Sequence, residues 1–261
     1  MKQPLVIKVG GALLESSVGK VALFKTIALL VAKNVHVVLV HGGGCLVEDW
    51  LAQAGLSSDK LDGLRITPKS QIDLVSGALA GAANKQLVAA AKSAKLNAVG
   101  LSLADGDMVT ADYLDPRLGQ VGHCKANERG LLISLLASGY TPIISSIADD
   151  GQGELLNVNA DQAAQAIAKL LNGKLILLSD VPGVLDGDKQ LITTLSPEYA
   201  QQLSADGVIV GGMKVKVDTA FSTANDLGDS IVIASWQQPQ NLLALVNGES
   251  CGTLIEATKS I

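Results

Sequence analysis

The sequence predicts an α/β protein whose mainly parallel sheet carries helices on both faces. Three observations lead there. Short aliphatic runs end in glycine turns and pass into stretches with helical spacing, and this order repeats from the first residues onward. Of the 261 residues, 48% are apolar but only seven are aromatic (two Trp, three Tyr, two Phe), so a large core must be built from Ala, Val, Ile and Leu. Charged residues make up 17%, against roughly 25% in an ordinary domain, which excludes disorder.

The elements follow in order. Residues 5–9 (LVIKV) read as a short strand ending in Gly10-Gly11. Val21, Phe24, Ile27, Ala28, Val31 and Ala32 then recur at helical spacing. Residues 35–40, rich in valine, form the next strand, stopping at His41-Gly42-Gly43-Gly44; Leu46, Val47, Trp50 and Leu51 stripe a second helix. Residues 60–68 are short, mixed in polarity and interrupted by Gly63, more like a hairpin or flap than a core strand. Residues 71–91 read as one long Ala-rich helix, 97–101 as a strand, and 105–123 as short antiparallel pieces. A helix over 129–138 and a strand over 141–146 follow. Residues 161–171 form a helix with Asn159 as N-cap, and 174–179 a buried strand ending in Asp180-Val181-Pro182-Gly183. A helix over 212–227 and a final strand over 230–234 complete the series. No Pro/Ser/Gly linker divides the chain, so one continuous sheet with two functional lobes is expected over 1–261.

Composition also excludes partners and compartments. The longest apolar stretches fall far below the ~20 residues of a membrane-spanning helix, and the opening MKQPLVIKVGG has neither a signal peptide's uninterrupted apolar run nor a cleavage site. A cytoplasmic protein is expected. With 20 Lys+Arg against 25 Asp+Glu and no basic run, nucleic acid is not the expected partner. Cys45, Cys124 and Cys251 are far apart, and the three histidines form no ligand array, so neither a disulfide framework nor a protein-held metal is expected. Cys45 reads as a small buried side chain rather than a nucleophile.

In open parallel sheets ligands bind at the carboxyl ends of strands. Three such ends carry chemistry: 8–11, 41–44 and 179–183. Glycine turns let backbone N–H groups approach an anion, and the helix that follows adds a favourable partial charge. Two of them on adjacent strands suit one phosphoryl group between them. Neither is a GxxxxGK phosphate loop nor a GxGxxG fingerprint, so a Walker-type NTPase and a nicotinamide dehydrogenase lose support. Lys8 interrupts an otherwise apolar strand, which costs desolvation unless it pairs or serves an anion. Lys214 and Lys216 stand in the first turns of a helix, against its macrodipole, where facing phosphates would justify them. Asn157 and Asn159 share one side of an extended segment, and Asp161 opens the next helix.

Six segments in order, IKVGG at 7–11, VHGGG at 40–44, GLRIT at 63–67, LNVNADQAA at 156–164, LLSDVPGVLDG at 177–187 and GGMKVK at 211–216, closely resemble the amino acid kinase superfamily, and within it the branch acting on N-acetyl-L-glutamate in arginine biosynthesis. The resemblance covers nearly the whole chain. It implies an open αβα sandwich of the carbamate kinase-like kind and transfer of the ATP γ-phosphoryl group to a side-chain carboxylate. By the same resemblance Lys8 contacts the moving phosphoryl group, with Gly11 and Gly44 donating N–H groups; Lys216 serves the leaving β-phosphate; Asp161 orients both lysines. Gly43, Gly44, Arg65, Asn157 and Asn159 would hold the amino-acid substrate, Arg65 gripping its α-carboxylate. Ser179, Asp180, Val181, Pro182, Gly183, Val184 and Leu185, with Val208, Ile209 and Val210, would line the adenine and ribose. Mg²⁺ would arrive on the nucleotide phosphates. Residues to about 173 would bind the amino acid and residues 174–261 ATP.

Lys214 occupies a position that is usually apolar in the family, so Lys216 is preferred as the catalytic lysine. Arginine-inhibited members carry an extra N-terminal helix; its absence from this sequence leads to the expectation of a homodimer without arginine feedback. Two alternatives remain open here: a kinase of the same fold acting on acetylaminoadipate, glutamate, carbamate or UMP, and a nucleotide-binding regulatory protein without turnover.

Overall fold

The computed structural model describes residues 3–258; residues 1–2 and 259–261, the ends of the unit expected over 1–261, lie outside the described residues. In chain order, β1 (Leu5–Val9) leads through α1 (Gly11–Glu15) and α2 (Ser17–Ala32) to β2 (Val37–His41) and α3 (Gly44–Gln53). The hairpin β3 (Lys60–Leu61) and β4 (Leu64–Arg65) follows. Then comes a helical stretch in three parts: α4 (Ile72–Ser76), a π-helical segment (Gly77–Ala83) and α5 (Asn84–Ser93). Next come β5 (Ala98–Ser102), β6 (Val109–Tyr113), β7 (Val121–Ala126), α6 (Gly130–Ala137), β8 (Thr141–Ser145), β9 (Ile147–Asp149) and β10 (Leu155–Val158). The remainder is α7 (Ala160–Leu171), β11 (Lys174–Ser179), β12 (Thr194–Leu195), α8 (Pro197–Ala205), α9 (Gly211–Leu227), β13 (Ile231–Ser235), a 3-10 segment (Pro239–Asn247) and β14 (Thr253–Ile255).

The main sheet has eight strands in the order β12-β14-β13-β11-β1-β2-β8-β5. The six from β13 to β5 run parallel; β14 is antiparallel to β13 and carries β12 alongside in its own direction. Alternation along β1 divides the core. Leu5, Ile7 and Val9 pack with α2, α5 and the 3-10 segment on one face. Val6 packs with α6, α7, α8 and α9 on the other. Helices after β1 therefore cover one face and those after β11 the opposite face, which opens a crevice at the carboxyl ends of these neighbouring strands.

Most expected elements stand close to their places, and five differences have physical causes. The first glycine turn continues at once into α1, a single helical turn too short to show a period. The helix expected over 71–91 is broken by the π segment, where the run GALAGAA has few side chains to enforce regular α packing. The sheet is not one continuous unit: β6-β7-β10-β9 form a separate four-stranded sheet. Residues 230–234 are not the last strand, because β14, three residues long, is inserted between β13 and β12 by pairing rather than by pattern. Finally, the sequence reading does not place α8, although Ser196 caps it through Oγ accepting from Tyr199 N at 3.2 Å and Pro197 opens it.

Candidate active site

Lys8 shares the sheet face of Val6, beneath α7, and α7 begins at the carboxyl end of β1. Strand parity thus brings its ammonium to Asp161, with Nζ 2.9 Å from Oδ1 and both side chains largely covered. Asn159 caps α7: its Oδ1 accepts from Asp161 N at 2.8 Å and Gln162 N at 3.3 Å. The cap leaves its amide nitrogen as the group free for other use. The lysine that interrupts an apolar strand is therefore paired, with a helix N-terminus beside it.

The turn Gly42–Gly44 follows β2. The Arg65 guanidinium lies against it, Nη2 donating to Gly44 O at 3.1 Å and to Glu48 Oε1 at 3.0 Å, while Nη1 reaches Ser58 Oγ. Lys60 Nζ meets the same Glu48 oxygen at 3.1 Å. These two cations, Lys60 foremost, hold the Glu48 carboxyl below its usual range. Gly43 packs closely, a Cβ there standing 2.9 Å from the Leu79 Cδ2 methyl of the π segment. Gly42, Gly43, Gly44, Arg65, Asn157 and Asn159 line one cavity of about 210 Å³. Asn157 is held there by its amide donating to Thr67 Oγ1 at 3.2 Å.

A second cavity of about 240 Å³ is lined by Lys8, Asp161, Ser179 and Lys216, among others. The first turn of α7 joins the two: Ala160 borders the first cavity and Asp161 the second. Lys216 pairs with Asp180, Nζ to Oδ1 at 2.5 Å, and Ser179 Oγ donates to the same oxygen at 2.8 Å. That lysine contact is the main cause of the lowered Asp180 pKa. Lys214 instead bonds Asp218 one turn on, at 2.7 Å, as an exposed helix-surface pair.

The structure brings Lys8, Asp161 and Lys216 around one cavity, but Asp161 bonds Lys8 and Asp180 takes Lys216. Gly11 opens α1, and a Cβ on it would stand 3.2 Å from Cys45 Sγ. Among the residues expected around adenine, Val184 and Ile209 belong to the core, whereas Val210 is exposed. Gly183 is required where it stands, at φ +152° with a would-be Cβ 2.5 Å from Thr253 Oγ1. Cys45 is only half-buried, not fully enclosed as expected, and Glu15 beside it pushes its thiol pKa up, which disfavours the nucleophilic thiolate. A further cavity of about 450 Å³, lined by residues of β7, α7 and α9, holds none of the expected site residues. Sequence reading missed Glu48, Ser58 and Lys60 around Arg65; the only signal was their place beside a flap already singled out.

A doubly cationic cleft with free helix N-termini can bind phosphates, and an arginine pocket beside it can bind a carboxylate. Comparison with known proteins agrees. The model of the amino acid kinase family matches residues 3–235. The chain is 50% identical over 255 residues to the acetylglutamate kinase of Shewanella sediminis, covering 98% of this chain and 97% of that protein. The structure of N-acetylglutamate synthase from Neisseria gonorrhoeae, complexed with coenzyme A and N-acetyl-glutamate, superposes with a TM-score of 0.80 at 24% identity, covering 99% of this chain and 60% of that one. Carbamate kinase from Giardia lamblia bound to AMP-PNP superposes with a TM-score of 0.67 at 18% identity, covering 98% and 99%. These two share the fold, the open sandwich with its mainly parallel sheet. On its fold and on the match along most of its length, the chain belongs to the amino acid kinase family.

Proposed function

We propose that this chain is an ATP-dependent kinase that phosphorylates the γ-carboxylate of N-acetyl-L-glutamate, giving N-acetyl-L-glutamyl 5-phosphate and ADP, a step of arginine biosynthesis. The identity with a protein named acetylglutamate kinase over nearly its whole length supports the substrate. The observation that carries the chemistry is the pair of adjoining cavities, one holding Arg65 and the other Lys8 and Lys216, joined at the first turn of α7.

The reaction forms a bond from a carboxylate oxygen to the γ-phosphorus and breaks the bond to the β-phosphate oxygen. The nucleophile is already an anion, so no general base is needed, and the protein's task is in-line positioning and charge neutralisation. Arg65, held by Glu48 and the Gly44 carbonyl, receives the α-carboxylate; Gly43, Asn157 and Asn159 hold the rest of the substrate. Lys8 meets the transferring group with the N–H groups of Gly11 and Gly44, which as first-turn residues have no intrahelical acceptor. Lys216 meets the leaving phosphate by exchanging Asp180 for it. Asp161 holds Lys8 in place.

ATP is proposed to lie along residues 179–185 and 208–210, within the lobe from 174 onward, and the amino acid within the lobe before it. Mg²⁺ is proposed to arrive on the nucleotide phosphates, because each of the two aspartates around the transfer point, Asp161 and Asp180, is already paired with a lysine. The assembly we propose is a homodimer: β5 is an outer strand of the main sheet, half-buried and without a charged residue, an edge that favours being covered. No helix among the described residues is long and apolar enough to cross a membrane, and the biosynthetic role argues for the cytoplasm.

Measuring ADP release with N-acetylglutamate, acetylaminoadipate, glutamate, carbamate and UMP tests the substrate. The highest kcat/KM is expected for N-acetylglutamate; a higher value for any of the others would overturn the assignment.

A further inference from the structure

His41, the last residue of β2, is completely buried, yet it adjoins the glycine turn and the mechanism above does not use it. Its two ring nitrogens have different partners. Nδ1 lies 2.8 Å from the carbonyl oxygen of Gly42, and Nε2 lies 3.0 Å from the side-chain nitrogen of Asn84. A carbonyl only accepts, so Nδ1 carries the hydrogen.

The orientation of Asn84 decides the other end. Its Nδ2 also faces Leu101 O at 3.1 Å and Ile143 O at 2.9 Å, two acceptors, while its Oδ1 takes a hydrogen bond from Lys85 Nζ at 3.1 Å. Turning the amide over would set an oxygen against two carbonyls. The Asn84 nitrogen is therefore the donor on this side, its two hydrogens shared among Leu101 O, Ile143 O and His41 Nε2, which faces it as a lone pair. Asn84 is itself fixed by neighbouring strands β5 and β8, and by its place as the first residue after the π segment. The same segment presses Leu79 and Ala83 against Gly43. The ring is neutral, consistent with burial, which lowers its pKa.

We infer that His41, held in its Nδ1–H tautomer by Asn84, is a positioning residue that orients the peptide between Gly42 and Gly43. A trans peptide points its C=O and N–H in opposite directions, and the described residues contain no cis bond. Drawing the Gly42 carbonyl toward the buried imidazole turns the Gly43 N–H away from it, and Gly42, Gly43 and Gly44 all line the Arg65 cavity. The histidine acts without touching either substrate: it sets where the turn presents its donors. The link to turnover rests on the reading of that turn given under Proposed function; the tautomer itself does not.

Two measurements test the inference. In the wild-type protein, ¹⁵N NMR of the histidine rings is expected to show His41 with a protonated Nδ1 and an unprotonated Nε2; the opposite tautomer would overturn it without recourse to any variant. In variants, an Asn side chain places its NH₂ near the Nδ1 position and can still donate to Gly42 O, whereas Gln reaches toward the Nε2 position and cannot. His41→Asn is therefore expected to keep kcat within about 5-fold of wild type, and His41→Gln to lose on the order of 100-fold in kcat with KM for ATP little changed. A role in packing alone predicts the reverse order, because Asn is the smaller side chain and strands Asn84. His41→Gln equal to or better than His41→Asn would overturn the inference. A wild-type protein that carries the expected tautomer but does not turn over N-acetylglutamate would count against the proposed function instead.

Discussion

Lys8 shows how a single residue announces itself. The other four side chains of β1 are buried, so an ammonium among them has to be compensated. Asp161 supplies the partner at 2.9 Å, across more than 150 positions of sequence, and the fold delivers it through strand parity and the start of α7. The charge was legible in the sequence; the Lys216–Asp180 pair was not, because no spacing rule connects the end of β11 with the second turn of α9. Arg65 was legible through its motif, while its support by Glu48 depends on how the hairpin folds over α3. The guanidinium makes three contacts in a fixed fork, which an ammonium cannot reproduce. Arg65→Lys is expected to raise KM for N-acetylglutamate about 100-fold with KM for ATP nearly unchanged, read from initial rates; equal effects on both would contradict its place in the amino-acid pocket. His41 gives a pH prediction. Burial pushes its folded pKa down from 6.5 to about 4. Below pH 6.5 the unfolded chain takes up a proton that the folded chain refuses, so stability is kept above 6.5 and lost as pH falls toward 4. Urea unfolding at pH 7.5 and 4.5 is expected to show about 2 to 3 kcal/mol more loss in the wild type than in His41→Asn. Parallel losses in the two proteins would contradict a buried neutral imidazole.

At the scale of elements, aliphatic strands of five or six residues were legible and strands of two or three were not. β1 and β11 coincide with the sequence reading because aliphatic runs bounded by glycine or aspartate leave little choice. β12 and β14 escaped because two or three residues carry no period, and their existence is decided by tertiary pairing. β14 nevertheless holds the segment proposed to carry ATP. Thr253 is completely buried; its Oγ1 accepts from Val184 N at 2.8 Å and donates to Ile192 O at 2.6 Å. Thr253→Val keeps the shape and leaves both backbone groups unpartnered. It is expected to cost about 2 to 4 kcal/mol in guanidinium unfolding and to weaken ATP binding, since residues 183–185 lose their anchor. Unchanged stability would show that the hydroxyl is not the link between β14 and the nucleotide loop. The π segment belongs to the same class of hidden feature. Its composition allowed a helix, and the small side chains of GALAGAA left the change of register without a pattern to announce it.

For the whole molecule, low charge and abundant glycine first indicated no more than an aliphatic α/β protein. The fold gives both features a use. Lys8, Lys216 and Arg65 stand where the helices of opposite faces part, and the glycines at 43–44 let backbone line that crevice. The uncharged outer strand β5 leads to the expectation that the protein elutes as a dimer on sizing with light scattering; a monomer across working concentrations would contradict the proposed assembly. This scaffold is proposed to move a phosphoryl group from ATP to a carboxylate, with Lys8 acting on the moving group. Hydroxylamine traps an acyl phosphate as a hydroxamate, so the protein, MgATP, N-acetyl-L-glutamate and hydroxylamine in one vessel test it directly. Hydroxamate is expected to accumulate in step with ADP, and Lys8→Ala to slow it by roughly 1,000-fold while still binding ATP. ADP without hydroxamate, or an undiminished rate in Lys8→Ala, would contradict the account.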